Sequence, residues 1–252
     1  MSRISFLLIL IIAIASLPII NNWLSNRSQM LSDDYIGEKL DSYISRNFDK
    51  IVKTLKEQSI KSSYAARDNV TKSKISQYKD QIFDLTYPYS GNESSSVIAV
   101  GFLDYSCGHC KAIKNDIKQL INDGKIKYIF RDAPILGNAS LKAAKSALAV
   151  YFLDKEKYFD FHHAALSHKG EFSDESILDI VKNMGIDEDD FNDSIKDNAD
   201  KIEQMINNSR LLVRDLGVGG TPFLIIGDSL FVGATDLNVL RKKVDELSHK
   251  QG

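Results

Sequence analysis

The pattern of apolar and polar positions divides the chain into three parts. Residues 4–20 form an almost uninterrupted apolar run. From residue 33 to residue 85, apolar side chains recur every three or four positions among polar ones, as in amphipathic helices. From residue 97 onward, short continuous apolar runs alternate with helical patterns, which is typical of strands covered on both faces. The pattern therefore predicts an apolar leader, a helical arm and an α/β domain.

The apolar leader predicts export from the cytoplasm. Arg3 precedes the run, Asn21 closes it, and residues 13–15 offer a small-residue cleavage site. The run is at the short limit for a membrane-spanning helix. Residues 1–24 are therefore predicted to be either a cleaved signal peptide or a retained anchor in the inner membrane. Both alternatives place the mature chain in the periplasm, where thiols meet an oxidising environment.

Residues 30–88 predict a helical arm. Asp33 and Asp34 suit the N-terminus of a helix, where negative charge is favourable. Amphipathic helices without strands bury their apolar stripes against each other, the main domain or another copy of the chain. Intramolecular packing and a dimer or trimer arm are both consistent with the pattern. The apolar positions are Ile36, Leu40, Ile44, Phe48, Ile51 and Leu55 in a first stretch, and Ile75, Tyr78, Ile82 and Leu85 in a second.

Residues 89–250 predict an α/β domain with a helical insertion. The apolar runs at 97–103 and 126–130 flank one helical pattern, which favours two parallel strands joined by a right-handed crossover. Residues 138–217 are helical in pattern almost throughout, with glycines at the predicted helix ends. A β-hairpin at residues 223–232 and a closing helix complete the predicted domain.

Composition and charge exclude several classes of function. With 252 residues, of which 43% are hydrophobic, the chain can bury a core without covalent support. A formal net charge of -2 gives no electrostatic attraction to nucleic acid, so we expect no nucleic-acid partner. The 2 cysteines are too few for the disulfide framework of a small secreted domain. Their role is therefore chemical or local.

The two cysteines, Cys107 and Cys110, stand where a strand gives way to a helix. Side chains three residues apart on a first helical turn share one face and are close enough for a disulfide. Cys107 lies at the helix start, where unpaired N–H groups and the helix dipole favour a thiolate, so it is the predicted nucleophile. Cys110, one turn further in, suits a resolving thiol. Gly108 keeps access open, and His109 can support negative charge on the Cys107 sulfur.

Two structural roles for the cysteine pair are weaker alternatives. A zinc site would need further ligands from histidines or carboxylates. However, His162, His163 and His168 lie in a pattern more typical of packed or surface histidines, since adjacent helical side chains point about 100° apart. A purely structural disulfide would close so short a loop that it would constrain the unfolded chain little. Redox chemistry is the remaining role, with the Cys107-Cys110 disulfide as the redox group and no cofactor.

A second motif, Gly220-Thr221-Pro222-Phe223, follows more than 100 residues after the cysteines. A proline directly before an apolar strand is a place where a cis peptide bond can occur. Such a bend would leave the backbone groups of Thr221 available to an extended substrate segment. An ordinary glycine-rich turn at the end of the insertion is the alternative, and the presence of the C-x-x-C pair favours the redox role.

Together these motifs resemble those of the DsbA-type thiol:disulfide oxidoreductases. The resemblance covers roughly residues 89–250. It implies a thioredoxin fold with a helical domain inserted, Cys107 as attacking thiol, Cys110 as resolving thiol and a cis Pro222 facing the pair. Residues 30–88 are similar to the arms of DsbA relatives that oligomerise and act as isomerases. The matching segments are Phe102-Leu-Asp-Tyr-Ser-Cys107-Gly-His-Cys110-Lys111, Tyr128-Ile-Phe-Arg-Asp-Ala-Pro134 and Gly220-Thr-Pro-Phe223.

One position departs from the family pattern. Thioredoxin relatives usually carry a buried acid six residues before the first cysteine, and here that position is Gly101. The proton acceptor for Cys110 is therefore unassigned. Asp104 is one candidate, and a solvated loop acid near the rim of the site is the alternative for that residue. Lys111 and Lys114 would favour a thiolate at the first cysteine, and a nearby Asp104 would oppose it.

The predicted function is thiol–disulfide exchange that promotes disulfide bond formation in exported proteins. The predicted partners are unfolded exported proteins and a membrane protein that re-oxidises or reduces the cysteine pair. A homo-oligomer through residues 30–88 would favour isomerisation or reduction instead. A non-enzymatic exported module that binds copper or a protein partner is the alternative from outside the enzymes.

Overall fold

The computed structural model describes residues 15–27 and 33–249, apart from the side chains of residues 33 and 60–67. Residues 15–27 are helical. The greater part of the predicted leader, residues 1–14, lies outside the described residues, so the choice between signal peptide and anchor stays a prediction. Among the helices described, none is both long and apolar enough to cross a membrane.

The chain divides into two units, residues 1–66 and residues 67–252. A long helix, α1 (Asp33–Gln77), begins in the first unit and ends in the second. α1 contains the first predicted stretch of apolar periodicity and Ile75 of the second, whereas Ile82 of the second stretch lies in a separate short helix, α2 (Lys79–Ile82). In the first unit, α1 exposes large apolar side chains at Ile36, Leu40, Tyr43, Ile44, Phe48, Val52 and Leu55.

The second unit is built around the strand–helix–strand arrangement that the sequence pattern predicted. Strand β2 (Ile98–Leu103), helix α3 (Gly108–Asn122) and strand β3 (Lys127–Asp132) follow one another, and the two strands are parallel. The other elements are α2 (Lys79–Ile82), β1 (Tyr89–Gly91), α4 (Asn138–Leu153), α5 (Tyr158–Ser167), α6 (Asp174–Asn183), α7 (Glu188–Asp197), α8 (Ala199–Leu216), β4 (Phe223–Ile226), β5 (Ser229–Val232) and α9 (Leu237–Ser248).

The sheet has the strand order β1-β3-β2-β4-β5. β4 pairs antiparallel with β2, and β5 pairs antiparallel with β4 as the predicted hairpin. Strand β1, which pairs antiparallel with the edge of β3, was missed, because a three-residue Tyr-Ser-Gly segment is too short to show alternation. The mixed sheet with helices α4 to α8 between β3 and β4 confirms the predicted α/β fold with a helical insertion.

Two helices of the insertion begin at a capping side chain, and its last helix ends at a glycine. The Ser173 hydroxyl accepts the Ser176 backbone N–H at the start of α6, and the Asp187 carboxylate accepts the Asp189 N–H at the start of α7. Gly217 ends α8 in the left-handed conformation, with φ 73°, where a side chain would be strained. Local capping chemistry is therefore sufficient to place these helix ends.

The two faces of β2 are buried in two different clusters. Ala99 and Leu103 lie in a cluster with α3, α4 and α5, whereas Val100 and Phe102 lie in a cluster with the last turns of α8. The second cluster also buries Ile75, Ile82 and Tyr87, which the sequence pattern placed in the arm. For this stretch the structure shows the intramolecular packing that was one of the two alternatives.

A buried cation joins that stretch to the domain. Arg131, on β3, is 1% exposed, and its guanidinium lies 3.5 Å from the centre of the Tyr87 ring. It donates hydrogen bonds to the carbonyl of Gln81 and to the Ser209 hydroxyl. Burial lowers the pKa of Arg131 to about 10, which still leaves it charged at neutral pH. Arg131 thus holds three segments together at one point.

A buried carboxyl follows Arg131 at the end of β3. Asp132 is 4% exposed and accepts a hydrogen bond of 3.2 Å from the Tyr158 hydroxyl, while its Oδ1 has no partner among the described residues. Burial raises the pKa of Asp132 to about 7, although hydrogen bonds from Tyr105 and Tyr158 act in the opposite direction. The fold therefore favours the protonated form of this group.

The raised pKa of Asp132 predicts a pH-dependent contribution to stability. Since its folded pKa lies above the unfolded value of about 3.9, the contribution is fully present below about pH 4 and is lost as the pH rises through 7. We expect Asp132→Asn to be more stable than the natural protein at pH 8. The difference between their free energies of unfolding should change by about 3 kcal/mol in favour of the variant between pH 5 and pH 8. Urea unfolding at each pH measures this, and a difference that stays constant would contradict it.

Candidate active site

Cys107 occupies the N-cap of α3, at the junction between the loop after β2 and the helix. Its backbone is extended, with φ -77° and ψ 119°, and the side chain is 8% exposed. Its thiol donates a hydrogen bond of 3.2 Å to the carbonyl oxygen of Thr221. Cys107 therefore lies at the N-terminus of a helix of 15 residues, the positive end of the helix dipole.

Cys110 lies one turn further along α3 and is fully buried. Its sulfur accepts the backbone N–H of Asp104 at 3.5 Å. Burial raises the pKa of the Cys110 thiol far above its ordinary value, and the neighbouring Cys107 raises it further. Both cysteines are free thiols in this structure. Both cysteines are thus buried on one helical turn, Cys107 with 8% of its surface exposed and Cys110 with none.

The two residues between the cysteines, Gly108 and His109, are exposed at the start of α3. A Cβ atom added to Gly108 would have no atom of another residue within 4 Å. Gly108 therefore leaves open space beside Cys107, as predicted. The part that His109 plays in the chemistry stays a prediction.

Thr221 and Pro222 lie against Cys107, and the peptide bond that joins them is cis, as the resemblance implied. The pairing of β4 with β2 brings the motif there, because Phe223 at the start of β4 is opposite Phe102 near the end of β2. The two phenylalanine rings are stacked at 4.4 Å between centroids. Residues far apart in the sequence thus meet at one end of the sheet.

Asp104 is buried and held by hydrogen bonds. It is 1% exposed, so it is not a solvated loop acid. Its carboxylate accepts four hydrogen bonds, and its role as proton acceptor for Cys110 stays a prediction. Asp104 fastens the loop before Cys107 to the start of α4. The donors are the backbone N–H groups of Ser106, Ile135 and Leu136 and the Ser140 hydroxyl.

Position 101 cannot hold an acid in this structure because a tyrosine fills its space. A Cβ atom built on Gly101 would overlap the hydroxyl oxygen of Tyr128, a fully buried residue of β3. That hydroxyl has no hydrogen-bond partner among the described residues. Burial raises the pKa of Tyr128, and the charge of Cys110 raises it further, so it stays protonated. The departure at Gly101 therefore has a steric cause.

The other charged candidates lie around the pair without contacting either sulfur. Lys111 donates a hydrogen bond of 2.8 Å to the carbonyl oxygen of His168. His162, which the sequence pattern did not assign to the site, is 3% exposed, and its Nδ1 lies 2.8 Å from the hydroxyl of Tyr105. Tyr105 belongs to the loop between Asp104 and Cys107, so His162 is connected to the site through it.

Comparisons with known proteins agree with this geometry. The family model described as thioredoxin matches residues 84–246. One similar solved structure is that of the thiol-disulfide exchange protein alpha-DsbA2 from Wolbachia pipientis, with a TM-score of 0.72. The two sequences are 99% identical over the match, which covers 73% of this chain and 98% of that one. A thioredoxin-like oxidoreductase from Silicibacter pomeroyi is 30% identical, with a TM-score of 0.62, over 67% of this chain and 96% of its own.

A curated relative points in the same direction. Disulfide bond formation protein D of Bacillus subtilis is 22% identical over 171 residues, which is 63% of this chain and 76% of that protein. The match to the thioredoxin model spans the sheet, the cysteine pair, the helical insertion and the Thr221-Pro222 motif. The thioredoxin family model matches well over half of the chain, so the protein belongs to the thioredoxin family. Within that family the chain is similar to DsbA-type thiol-disulfide exchange proteins.

Proposed function

We propose that this protein is a thiol-disulfide oxidoreductase that promotes disulfide bond formation in exported proteins. The observation that carries the proposal is the asymmetry of the two thiols. Cys107 lies at the start of a helix beside the Thr221 carbonyl, and Cys110, one turn further along that helix, is fully buried. The Cys107-Cys110 disulfide is the redox group, and the exchange chemistry requires no cofactor.

In the oxidising direction, a substrate thiolate attacks the sulfur of Cys107 in the disulfide. The bond between Cys107 and Cys110 breaks, its electron pair goes to Cys110, and that sulfur takes up a proton. A second substrate thiolate then attacks the substrate sulfur of the mixed disulfide and releases Cys107 as a thiolate, which the helix start favours. The substrate has lost two electrons, and the cysteine pair has gained them.

Thr221 and Pro222 are proposed to bind the substrate backbone next to Cys107. The Thr221 carbonyl already accepts a hydrogen bond from the Cys107 thiol, and this donor disappears when Cys107 forms a disulfide. The carbonyl is then available to the backbone N–H of an extended segment. Gly108 would admit the substrate, and His109 would support charge at Cys107.

The proposed setting is the periplasm. A role in thiol-disulfide exchange is supported by two similar proteins, one named a thiol-disulfide exchange protein and the other a disulfide bond formation protein. Unfolded exported proteins would be the substrates. A membrane protein that re-oxidises or reduces the cysteine pair would be the redox partner, because each turnover leaves the pair in the other state.

Isomerisation by an oligomer is a second candidate function. The observation that favours it is the row of exposed apolar side chains on α1, among them Leu40, Ile44 and Phe48, which are 56%, 39% and 58% exposed. Contiguous exposed apolar surface of this kind marks interaction sites. Association of α1 helices from several copies would hold more than one cysteine pair around a misfolded client.

Replacing each cysteine by serine should block the exchange reaction at a different step. Cys107→Ser should lower the rate of disulfide exchange on the order of 10²-fold or more, because the remaining Cys110 is buried. Cys110→Ser should still react with a disulfide substrate but stop at the mixed disulfide, which non-reducing gel electrophoresis and mass spectrometry detect. Full activity of Cys107→Ser in reoxidising a reduced, unfolded protein would contradict the proposed function.

If α1 mediates oligomerisation, the oligomeric state of the protein should depend on its concentration and on the exposed apolar side chains of α1. We expect the combined variant Leu40→Gln, Ile44→Gln, Phe48→Gln to sediment as a monomer at micromolar concentration, where the natural protein sediments as an oligomer. Glu38→Gln, Asp41→Asn, Lys53→Gln on the same helix is the matched control and should keep the oligomer, because these side chains are polar and exposed. A monomeric natural protein, or an oligomer that survives the first variant, would overturn the arm's role.

A further inference from the structure

The last turns of α1 pack against the end of α8, ahead of the Thr221-Pro222 motif. Residues 67–77 of α1 belong to the same unit as the α/β domain. Ile75 is 3% exposed and lies in the buried cluster that also contains Leu216 and Val218. This part of α1 is therefore integral to the core of the domain that carries the cysteines.

A cation on this part of α1 binds the end of α8. The Nζ atom of Lys74 donates a hydrogen bond of 2.8 Å to the carbonyl oxygen of Asp215. The last carbonyl groups of a helix lack partners within the helix, and the helix dipole is negative there, so a cation at this end is favourable. A Cβ atom built on Gly217 would lie 3.2 Å from the same nitrogen. Lys74 thus contacts the residue at which α8 ends and the loop to Thr221 begins.

The loop between α8 and β4 is rich in glycine. Its residues 217–221 read Gly-Val-Gly-Gly-Thr, and a Cβ atom built on Gly219 or Gly220 would meet nothing within 4 Å. Glycine has the widest choice of backbone conformations. The pairing of β4 with β2 fixes one end of this loop, and the end of α8 fixes the other. The group that holds the end of α8 therefore influences where Thr221 lies.

Thr221 contacts both residues of the cysteine pair. Its carbonyl oxygen accepts the Cys107 thiol at 3.2 Å, and its side chain forms a hydrogen bond with Cys110. The same carbonyl is the group proposed above to accept the backbone N–H of a substrate segment. Hydrogen bonds weaken steeply when their angle departs from the favourable range. A small displacement of the loop would therefore weaken the binding of a polypeptide substrate.

We propose that Lys74 is a positioning residue for disulfide exchange, because its ammonium group fixes the end of α8 and with it the loop that presents the Thr221 carbonyl to the substrate backbone. The proposal rests on the exchange function proposed above and extends it to a residue of α1. Lys74 acts through the loop and takes no part in making or breaking bonds. Its effect should be largest for polypeptide substrates, since a small dithiol has no backbone N–H to donate.

The test compares a peptide with a small dithiol. The full-length protein, oxidised at the cysteine pair, is mixed with dithiothreitol or with a reduced, uncharged peptide that contains two cysteines. The reaction is stopped with acid at intervals, and free thiols are labelled with a maleimide in urea and counted by mass. Because the peptide carries no charge, removing a positive charge from the protein does not alter electrostatic steering of the encounter.

The two substrates should respond differently to the loss of Lys74. We expect Lys74→Met to lower the rate constant for the peptide at low concentration by about tenfold, mainly by raising the concentration needed for half-maximal rate. The rate with dithiothreitol should fall by about twofold at most. Lys74→Arg keeps a cation that can donate to the Asp215 carbonyl and should recover most of the peptide rate.

Lys72→Met is the matched control. It removes the same charge from the same helix, but Lys72 pairs with Asp68 at 2.8 Å and with Asp228 at 3.8 Å through exposed side chains. Exposed pairs of this kind contribute little, so both rates should stay within about twofold of those of the natural protein.

Hydrogen exchange gives a second measurement, directly on the loop. The backbone amides of residues 217–221 should exchange faster in Lys74→Met than in the natural protein, while the midpoint of urea unfolding changes little, because the loop is released and the core is not. In Lys72→Met the same amides should exchange at the natural rate. Exchange of these amides that Lys74→Met leaves unchanged would contradict the proposal.

Each outcome of the rate comparison decides one of the two proposals. If the ratio of the peptide rate to the dithiothreitol rate is the same in Lys74→Met as in the natural protein, the positioning role is overturned, even where the variant is less stable. If Lys74→Met does not fold, Lys74→Gln, which removes the charge but keeps a polar end, replaces it in the same comparison. A natural protein that oxidises neither dithiol would instead contradict the proposed exchange function itself.

Discussion

The antiparallel pairing of β2 with β4 is the constraint on which the site depends. In this pairing Phe223 lies opposite Phe102, and the two rings stack on each other. Thr221 and Pro222, which directly precede β4, therefore lie near the end of β2. Cys107 and Thr221 are separated by 114 positions in the sequence, yet the thiol and the carbonyl oxygen are 3.2 Å apart.

The chemistry follows from a difference in burial across one helical turn. Cys107, at the start of the helix, keeps 8% of its surface exposed and lies beside the open space at Gly108, whereas Cys110, one turn further along the same helix, is fully buried. Asp104 keeps this arrangement in place by joining the loop before Cys107 to the start of α4. The Asp104 carboxylate therefore has a structural role beside the cysteine pair.

Local patterns in the sequence were enough for the fold and for the residues that carry the exchange. Cys107, Cys110 and Pro222 stand out because their chemistry depends on short-range spacing and on the strand or helix that follows. Three features could not be predicted, since each depends on side chains packed from distant elements. Asp104 is buried by the loop after β3, Tyr128 fills the space at position 101, and His162 contacts Tyr105 of the loop before Cys107. Strand β1 was missed for a simpler reason, its length.

Alkylation of the reduced protein with iodoacetamide at pH 7, followed by peptide mass analysis, tests the division of labour between the two thiols most directly. Cys107 should be modified within minutes, and Cys110 should stay unmodified until urea unfolds the domain, because its side chain is fully buried and its pKa is raised by that burial. Modification of Cys110 at a rate comparable with that of Cys107 in the folded protein would contradict the account.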